Sequence, residues 1–128
     1  MNQDTLDLQQ QFFQDLFSAT EDAEQDLLRL ESGEEQPETV ARLYRTLHTL
    51  KGNAGLVGET EIQTLCHSLE SMLDKDHRER VSQELIQQAF EAVDVMRAVS
   101  ESGESREFAG RMVELSDLVL QEHTNSHR

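Results

Sequence analysis

The sequence predicts an all-α protein: an up-down antiparallel four-helix bundle with an additional fifth helix at the C-terminus. The 128 residues include one proline, six glycines and no tryptophan, and the chain is rich in Leu, Glu, Gln, Ala and Arg, which lose little freedom in a helix. Apolar residues also recur at three- and four-residue steps in five segments, the period of one helix face. Short loops between such segments favour antiparallel neighbours.

The first two helices are predicted over residues 5–30 and 38–56. Gly33 and Pro37 bracket the loop between them, and Pro37 suits the first turn of a helix because it has no amide hydrogen to leave unpaired. The residues predicted to face the core are Phe12, Leu16, Ala19, Ala23, Leu27 and Leu30 in the first helix and Val40, Leu43, Leu47, Leu50 and Ala54 in the second.

Three further helices are predicted over residues 60–75, 82–100 and 105–121. Gly58 ends the second helix, and Thr60 with Gln63 has the spacing of a capping box at the start of the third. The predicted core residues here are Ile62, Leu65, Cys66, Leu69, Met72, Leu73, Ile86, Ala89, Val93, Met96, Phe108, Met112, Leu115 and Val119. We therefore expect one domain over residues 1–121, followed over 122–128 by a flexible tail or the start of a linker.

The net charge of the chain argues against two classes of binding partner. Eleven basic against 26 acidic residues give a net charge of -15, the wrong sign for binding nucleic acid or an anionic membrane surface. No apolar run approaches the roughly 18 residues needed to span a bilayer. A single cysteine, Cys66, cannot form an internal disulfide, and no signal peptide is apparent. We expect a cytoplasmic location, with no nucleic acid bound and no direct membrane binding.

The second helix carries the candidate functional residue, His48. No acidic residue occurs from Thr39 to Gly58, although the chain as a whole is strongly acidic, so an anion would be tolerated here. At about 100° per residue, His48 lies roughly 120° from the centre of the core stripe, on the solvent-facing flank. The spacing thus predicts an imidazole that a partner can reach.

Small residues surround His48 on that flank. Gly52 and Gly55 follow it on the same side of the helix, and Tyr44 lies at the edge. Each glycine inside a helix costs about 0.5–1 kcal/mol relative to alanine, so two of them suggest that bare backbone is needed where another protein approaches. The alternative is that Gly52 and Gly55 simply end the helix early.

Three polar residues are candidates for a cluster around His48. Lys51, one turn further on, would offset the charge of an anionic group on the ring; alternatively it is a lysine lying over apolar surface. Glu70 lies at the margin of the packed face of the third helix, where its carboxylate would orient one ring nitrogen and leave the other with a lone pair. His67 precedes Glu70 by one turn and is either part of this cluster or an ordinary boundary histidine.

Two sequence runs resemble histidine-containing phosphotransfer (HPt) domains. They are Leu47-His48-Thr49-Leu50-Lys51-Gly52-Asn53-Ala54-Gly55 and Cys66-His67-Ser68-Leu69-Glu70-Ser71-Met72-Leu73-Asp74. Within the family, the chain is most similar to the N-terminal phosphotransfer domain of CheA-type chemotaxis histidine kinases, and the resemblance covers nearly its whole length.

The resemblance implies a function and a set of site residues. His48 would be phosphorylated on the ring nitrogen farther from the backbone, Glu70 would orient the ring, and Lys51 and His67 would complete the polar cluster. Gly52 and Gly55 would leave room for the partner. Asn53, which stands where the family usually has glycine, bears on partner preference, as Tyr44 does.

The resemblance also implies a division of labour between proteins. A histidine-kinase domain, with ATP and magnesium bound, would supply the phosphoryl group, and an aspartate of a CheY-like response-regulator receiver domain would remove it. The chain has no P-loop and no evident magnesium ligands, so it would hold no cofactor and have no ATP-dependent activity alone.

The sequence is also compatible with other classes of protein. The chain would be either the first domain of a larger kinase or a stand-alone phosphorelay protein. A helical adaptor in which His48 is incidental is a further possibility. A metal-binding bundle using His48, His67, Glu70 and His77 is disfavoured, because these residues lack the repeated Glu-x-x-His pattern of di-iron bundles.

Overall fold

The computed structural model describes residues 3–34, 36–73 and 81–126, and these residues form a helical bundle. Five α-helices occur in the described ranges: α1 (Gln3–Ser32), α2 (Gln36–Val57), α3 (Thr60–Met72), α4 (Gln83–Ser102) and α5 (Ala109–Ser126), with a 3-10 turn over Arg106–Phe108 before α5. Helix α1 packs between α2 and α4, and α2 packs against α3. The predicted fold class is confirmed.

The core consists mainly of the apolar stripes that the helical period predicts, but Ala19 and Phe108 are only partly buried against it. In α3, every residue predicted to face the core is buried, and in α2 only Val40 of the predicted stripe stays partly exposed. Helix α4 buries more than its stripe of four, because Leu85, Ala92 and Val99 also face inward. Because α4 packs against both α1 and α5, its buried face is wider than a single apolar stripe.

Two glycines close the first helices as the sequence predicts. Gly33 and Gly58 have φ of 83° and 79°, left-handed values that side chains with a Cβ rarely adopt. After Gly58, the amide of Glu59 donates to the carbonyl of Ala54 at 2.9 Å, the long closing bond of a Schellman motif. This sharp turn brings α3 back antiparallel to α2.

The start of α3 corrects one prediction. Thr60 is the first helical residue rather than the cap, and Glu59 occupies the cap position with no side-chain hydrogen bond. The predicted capping box of Thr60 and Gln63 is therefore wrong, because the turn through Gly58 leads directly into the helix. The Gln63 side chain lies instead against α2, where a Cβ added at Gly55 would be 2.7 Å from its Nε2.

The ends of α3 and α5 also differ from the prediction. Helix α3 ends at Met72 rather than 75, and the predicted charged turn 74–80 lies outside the described residues. Helix α5 starts later, after the 3-10 turn, and continues through Ser126 rather than ending at Gln121. The segment 122–126 has no apolar stripe, but it has no proline or glycine either, so hydrogen bonding can extend the existing helix.

Helix α5 packs against both α3 and α4, which touch each other only slightly. Its contact with α3 includes a buried hydrogen bond between the hydroxyl groups of Ser68 and Ser116, whose oxygens are 2.6 Å apart. Both residues are almost fully buried. The apolar pattern of the sequence does not predict this pair, because serine is polar and its burial is not revealed by the spacing of apolar residues. The bond ties α5 to the helix that carries Glu70.

The paired serines lead to a non-additive prediction for stability. We expect Ser68→Ala alone to lower the free energy of unfolding by about 1–3 kcal/mol, because it leaves the buried Ser116 hydroxyl without its partner. The double variant Ser68→Ala with Ser116→Ala should lose less than the sum of the two single changes. Urea unfolding of the four proteins measures this, and additive losses would contradict it.

Candidate functional site

Helix α2 runs unbroken through the region around His48. Gly52 and Gly55 both lie inside the helix, which continues to Val57, so the alternative that they end it early is wrong. The His48 side chain is 61% exposed, as its position on the helix predicts. Leu43, Leu47 and Leu50 on the opposite side are buried. The core contacts therefore hold the helix while the imidazole faces solvent.

Glu70 on α3 is the centre of a hydrogen-bond cluster. Its side chain is only 10% exposed, and three donors from α2 surround the carboxylate. His48 Nδ1 lies 3.3 Å from Oε2, Lys51 Nζ lies 3.0 Å from Oε1, and the Tyr44 hydroxyl lies 3.3 Å from Oε1. Tyr44 precedes His48 by four residues and Lys51 follows it by three, so all three side chains lie on one face of the helix. The cluster joins α2 to α3.

The charge state of Glu70 determines which nitrogen of His48 is reactive. Burial works to raise the pKa of the Glu70 carboxyl, but the hydrogen bonds and charges of Lys51 and His48 outweigh it and lower that pKa. The carboxylate is therefore ionised at neutral pH and can only accept hydrogen bonds. Nδ1 of His48 must then carry the hydrogen, which leaves the lone pair on Nε2. Whenever the ring is neutral, its nucleophilic nitrogen is therefore the one away from Glu70.

Tyr44 makes contacts that the sequence does not indicate. The sequence places it at the edge of a predicted partner-binding surface, and in the structure its ring also packs almost parallel to that of His48. The interplanar angle is 9° and the ring centroids are 5.9 Å apart. Its hydroxyl reaches Glu70 at the same time. Tyr44 thus contacts both His48 and Glu70.

Lys51 and His67 differ in how they relate to the cluster. Lys51 is paired with Glu70, and its side chain is 24% exposed, which favours the electrostatic role over a lysine that merely covers apolar surface. His67 is exposed, and no hydrogen bond joins its ring to Glu70 or His48 in the described part of the chain. Its backbone carbonyl accepts from the Ser71 hydroxyl at 3.0 Å. The structure thus brings Lys51 into the cluster but not His67.

The open surface beside His48 extends further than the sequence indicates. A Cβ added at Gly52 would meet nothing within 4 Å, and Asn53 is half-buried beside it. Leu56, in the last turn of α2, is 86% exposed, the highest value among the exposed large hydrophobic side chains in the described ranges. The apolar period alone could have singled out Leu56, since it lies off the core stripe. Gly52, Gly55 and Leu56 are all exposed in the two turns that follow His48, and the Gln63 side chain lies against Gly55.

The basic residues of α2 are not all available to an anion. Asp26 of α1 is buried, and its carboxylate accepts from Arg42 at 2.9 Å and from Arg29 at 2.7 Å. Arg42 therefore helps join α1 to α2, and part of the positive charge of α2 is neutralised by Asp26. Arg45 is exposed. The basic charge beside the imidazole comes from Lys51.

Cys66 is buried, as predicted, and its Sγ lies 3.9 Å from Met96 Sδ. Burial, with a further contribution from the negative charge of Glu70, raises the pKa of the thiol to about 12. The thiol thus stays protonated at neutral pH and supplies no thiolate nucleophile.

Two features of the described residues bear on other classes of site. In residues 3–34, 36–73 and 81–126, no group of three or more His, Cys, Asp or Glu side chains is arranged to hold a metal ion. His77, a member of the alternative metal set, lies outside those residues. No helix in the described ranges is both long and apolar enough to cross a bilayer.

The family comparison agrees with this geometry. A family model described as the Hpt domain matches residues 7–102, three quarters of the chain. The chain belongs to the Hpt family. Hpt domains carry out histidine phosphotransfer in two-component signalling, and the match includes the whole cluster of Tyr44, His48, Lys51 and Glu70. Helix α5 lies outside the matched residues.

Several curated relatives of this Hpt domain are chemotaxis proteins named CheA. The protein of Rhizobium meliloti is 30% identical over 95 residues, which cover 73% of this chain and 12% of the relative. That of Klebsiella aerogenes is 33% identical over 99 residues, 76% of this chain and 15% of the relative. In Treponema pallidum the identity is 30% over 116 residues, 88% of this chain and 14% of the relative. The chain thus spans about one seventh of these proteins.

Proposed function

We propose that His48 is the phosphoacceptor of this Hpt domain and that Nε2 is the atom that carries the phosphoryl group. The observation that carries the proposal is the contact of Nδ1 with the ionised Glu70 on a ring whose side chain is 61% exposed. A carboxylate on Nδ1 leaves the lone pair on Nε2 and stabilises the positive charge that develops on the ring during attack. His48 is then a positioned nucleophile within reach of a large partner.

The proposed reaction is a reversible transfer between three sites. The lone pair of Nε2 attacks the γ-phosphorus of ATP, the bond to the bridging oxygen breaks, and ADP leaves with that electron pair. In the second step, an aspartate carboxylate of the receiver attacks the phosphorus, and the P–N bond breaks with its electrons returning to Nε2. Both steps depend mainly on positioning and charge neutralisation, and Lys51 supplies one positive charge.

The partners in this proposal provide what this chain does not. The ATP and magnesium ions belong to the ATP-binding domain of a histidine kinase, and the acceptor aspartate belongs to a CheY-like receiver domain of a response regulator. This chain alone therefore has no ATP-dependent activity. Gly52, Gly55 and Asn53, with Leu56, would lie under either partner as it approaches Nε2.

The CheA relatives support a place in chemotaxis signalling. Because the chain spans only about one seventh of those proteins, we propose that it acts as the phosphotransfer domain of a CheA-like kinase. A cytoplasmic location is part of the same proposal, since ATP and receiver domains are found there. The helical-adaptor alternative gives no reason for a nucleophilic nitrogen to be held facing solvent.

The proposal can be tested with purified domains. The chain is incubated with γ-labelled ATP and a CheA-type kinase ATP-binding domain, and then with receiver domains. We expect an acid-labile label on one residue, which ³¹P and ¹⁵N NMR should assign to Nε2 of His48, followed by its loss to the receiver. Label on another residue, on Nδ1, or on no residue would overturn the proposal.

The open surface at Gly52 leads to a prediction in which stability and activity change in opposite directions. Gly52→Ala should raise the free energy of unfolding by about 0.5–1 kcal/mol, because the residue is helical and the added Cβ meets open space. The same methyl group should slow phosphoryl transfer roughly tenfold, because it displaces a closely approaching partner.

Gly110 in α5 provides the matched control for this prediction. It too is exposed and helical, and a Cβ there meets nothing within 4 Å. Gly110→Ala should raise stability by a similar amount without changing the transfer rate. Thermal unfolding and transfer kinetics measure both effects, and equal transfer rates for the two variants would exclude a close approach at Gly52.

A further inference from the structure

Tyr44 contacts both partners of the central hydrogen bond of the site. It lies one helical turn before His48, so its ring packs beside the imidazole, at a centroid distance of 5.9 Å. Its hydroxyl donates to Glu70 Oε1 at 3.3 Å. The side chain is half-buried, so both contacts are formed in a partly desolvated place where hydrogen bonds have more effect than in water.

The two oxygens of Glu70 serve different donors. Oε1 accepts from Tyr44 and from Lys51, whereas Oε2 faces His48 Nδ1. Each donor draws negative charge away from the carboxylate and makes it a weaker base. Glu70 has to accept a hydrogen bond from the neutral imidazole. A carboxylate that is too basic would instead favour the imidazolium, which has no lone pair on Nε2 and cannot attack phosphorus.

We propose that Tyr44 is a positioning residue that acts through Glu70 to keep His48 in the neutral form with its lone pair on Nε2. Its hydroxyl weakens the carboxylate as a base, and its ring limits rotation of the imidazole. The proposal deepens the proposed function and rests on it for its biological meaning, but the coupling of the three side chains can be measured without phosphate.

Other charged or titratable groups also lie around Glu70. From α2 these are His48 and Lys51, and from α3 itself they are Cys66, whose thiol is protonated at neutral pH, and His67, which is exposed. Helix α5 meets α3 through the uncharged pair of Ser68 and Ser116. Helix α1 meets α2 through Asp26, which is already paired with Arg42.

The direct test is Tyr44→Phe, which retains the aromatic ring and removes only the hydroxyl. Without that donor, Glu70 becomes more basic and the imidazolium is favoured. We expect the titration midpoint of the His48 ring, followed by NMR, to move up by roughly 0.5 pH unit. The acid limb of the phosphorylation rate should move up by the same amount.

Two further variants keep the test decisive. Thr46→Val is the matched control, because the Thr46 hydroxyl lies on α2 but donates only to the carbonyl of Arg42, and its His48 midpoint should equal that of the wild type. Lys51→Met removes the other donor on Oε1 and should move the midpoint up as well. Should Tyr44→Phe fold poorly, this variant still tests whether donors on Oε1 control His48.

The outcomes separate this inference from the proposed function. A folded Tyr44→Phe protein with an unchanged or lowered His48 midpoint would overturn the inference, even if the wild type is phosphorylated normally. A raised midpoint in a chain whose wild type accepts no label from the kinase domain would support the coupling and overturn the proposed function. A merely structural role for Tyr44 would change the unfolding temperature but not the acid limb.

Discussion

The His48→Gln variant is expected to take up no phosphoryl group from a kinase domain and labelled ATP that fully label the wild type. Glutamine offers an amide of similar reach but no basic nitrogen that can attack phosphorus. The exchange should leave the fold intact, because the side chain is 61% exposed and outside the core. Label incorporation and the circular dichroism melting curve measure the two effects.

His67→Gln is the matched histidine control. His67 is exposed on α3, and no hydrogen bond of its ring to the cluster occurs in the described ranges. We expect this variant to accept label at nearly the wild-type rate. Label retained by His48→Gln, with the same acid lability, would refute the assignment of His48. A large loss in His67→Gln would show that this ring acts in the phosphorylated state.

Glu70→Ala is expected to slow phosphorylation of His48 roughly 10- to 100-fold, by analogy with the loss of a carboxylate that orients a metal-bound histidine. Without the carboxylate, either ring nitrogen can carry the hydrogen, and the charge that develops during attack is not stabilised. Lys51 also loses its partner and is no longer held beside the ring. Single-turnover labelling measures the rate, and ¹⁵N NMR of the ring reports the tautomer.

The pH dependence of stability follows from the same residue. Because the folded state lowers the pKa of Glu70, the cluster stabilises the wild type above the ordinary pKa of a glutamate, and this contribution is lost as the pH falls through the lowered value. The stability of Glu70→Ala should therefore fall less with acid in that range.

Glu61→Gln provides a control on the same helix, since Glu61 lies in the first turn of α3, away from the cluster. It should phosphorylate at the wild-type rate. A Glu70→Ala protein that phosphorylates as fast as this control, with one tautomer still dominant, would mean that another group orients His48.

Much of the site follows from positions along single helices. The 3.6-residue period places His48 on the exposed flank of α2 and Glu70 at the margin of the packed face of α3. The same argument puts Gly52 and Gly55 on the side of His48. It holds in the structure because α2 continues through both glycines. These inferences succeed because many apolar residues at regular spacing together define the buried face of each helix, and the position of any other residue relative to that face then follows.

Other features of the site have no periodic signal. Tyr44 contacts Glu70 because the two helices lie close enough for a phenol to span the gap, and a helical projection of α2 alone contains no such distance. The pairing of Arg42 with the buried Asp26 likewise joins two helices. The sequence of α2 alone gives no sign of this pairing.

By itself, the sequence determined the helical class and most of the core stripes, and it singled out His48 as the candidate phosphoacceptor. These depend on composition, local spacing and resemblance, all of which can be read directly from the sequence. Only the tertiary structure decided how three donors share Glu70, that His67 stays outside the cluster, and that α5 docks on both α3 and α4. Those features depend on distances between helices, which side-chain packing sets and which no single helix contains.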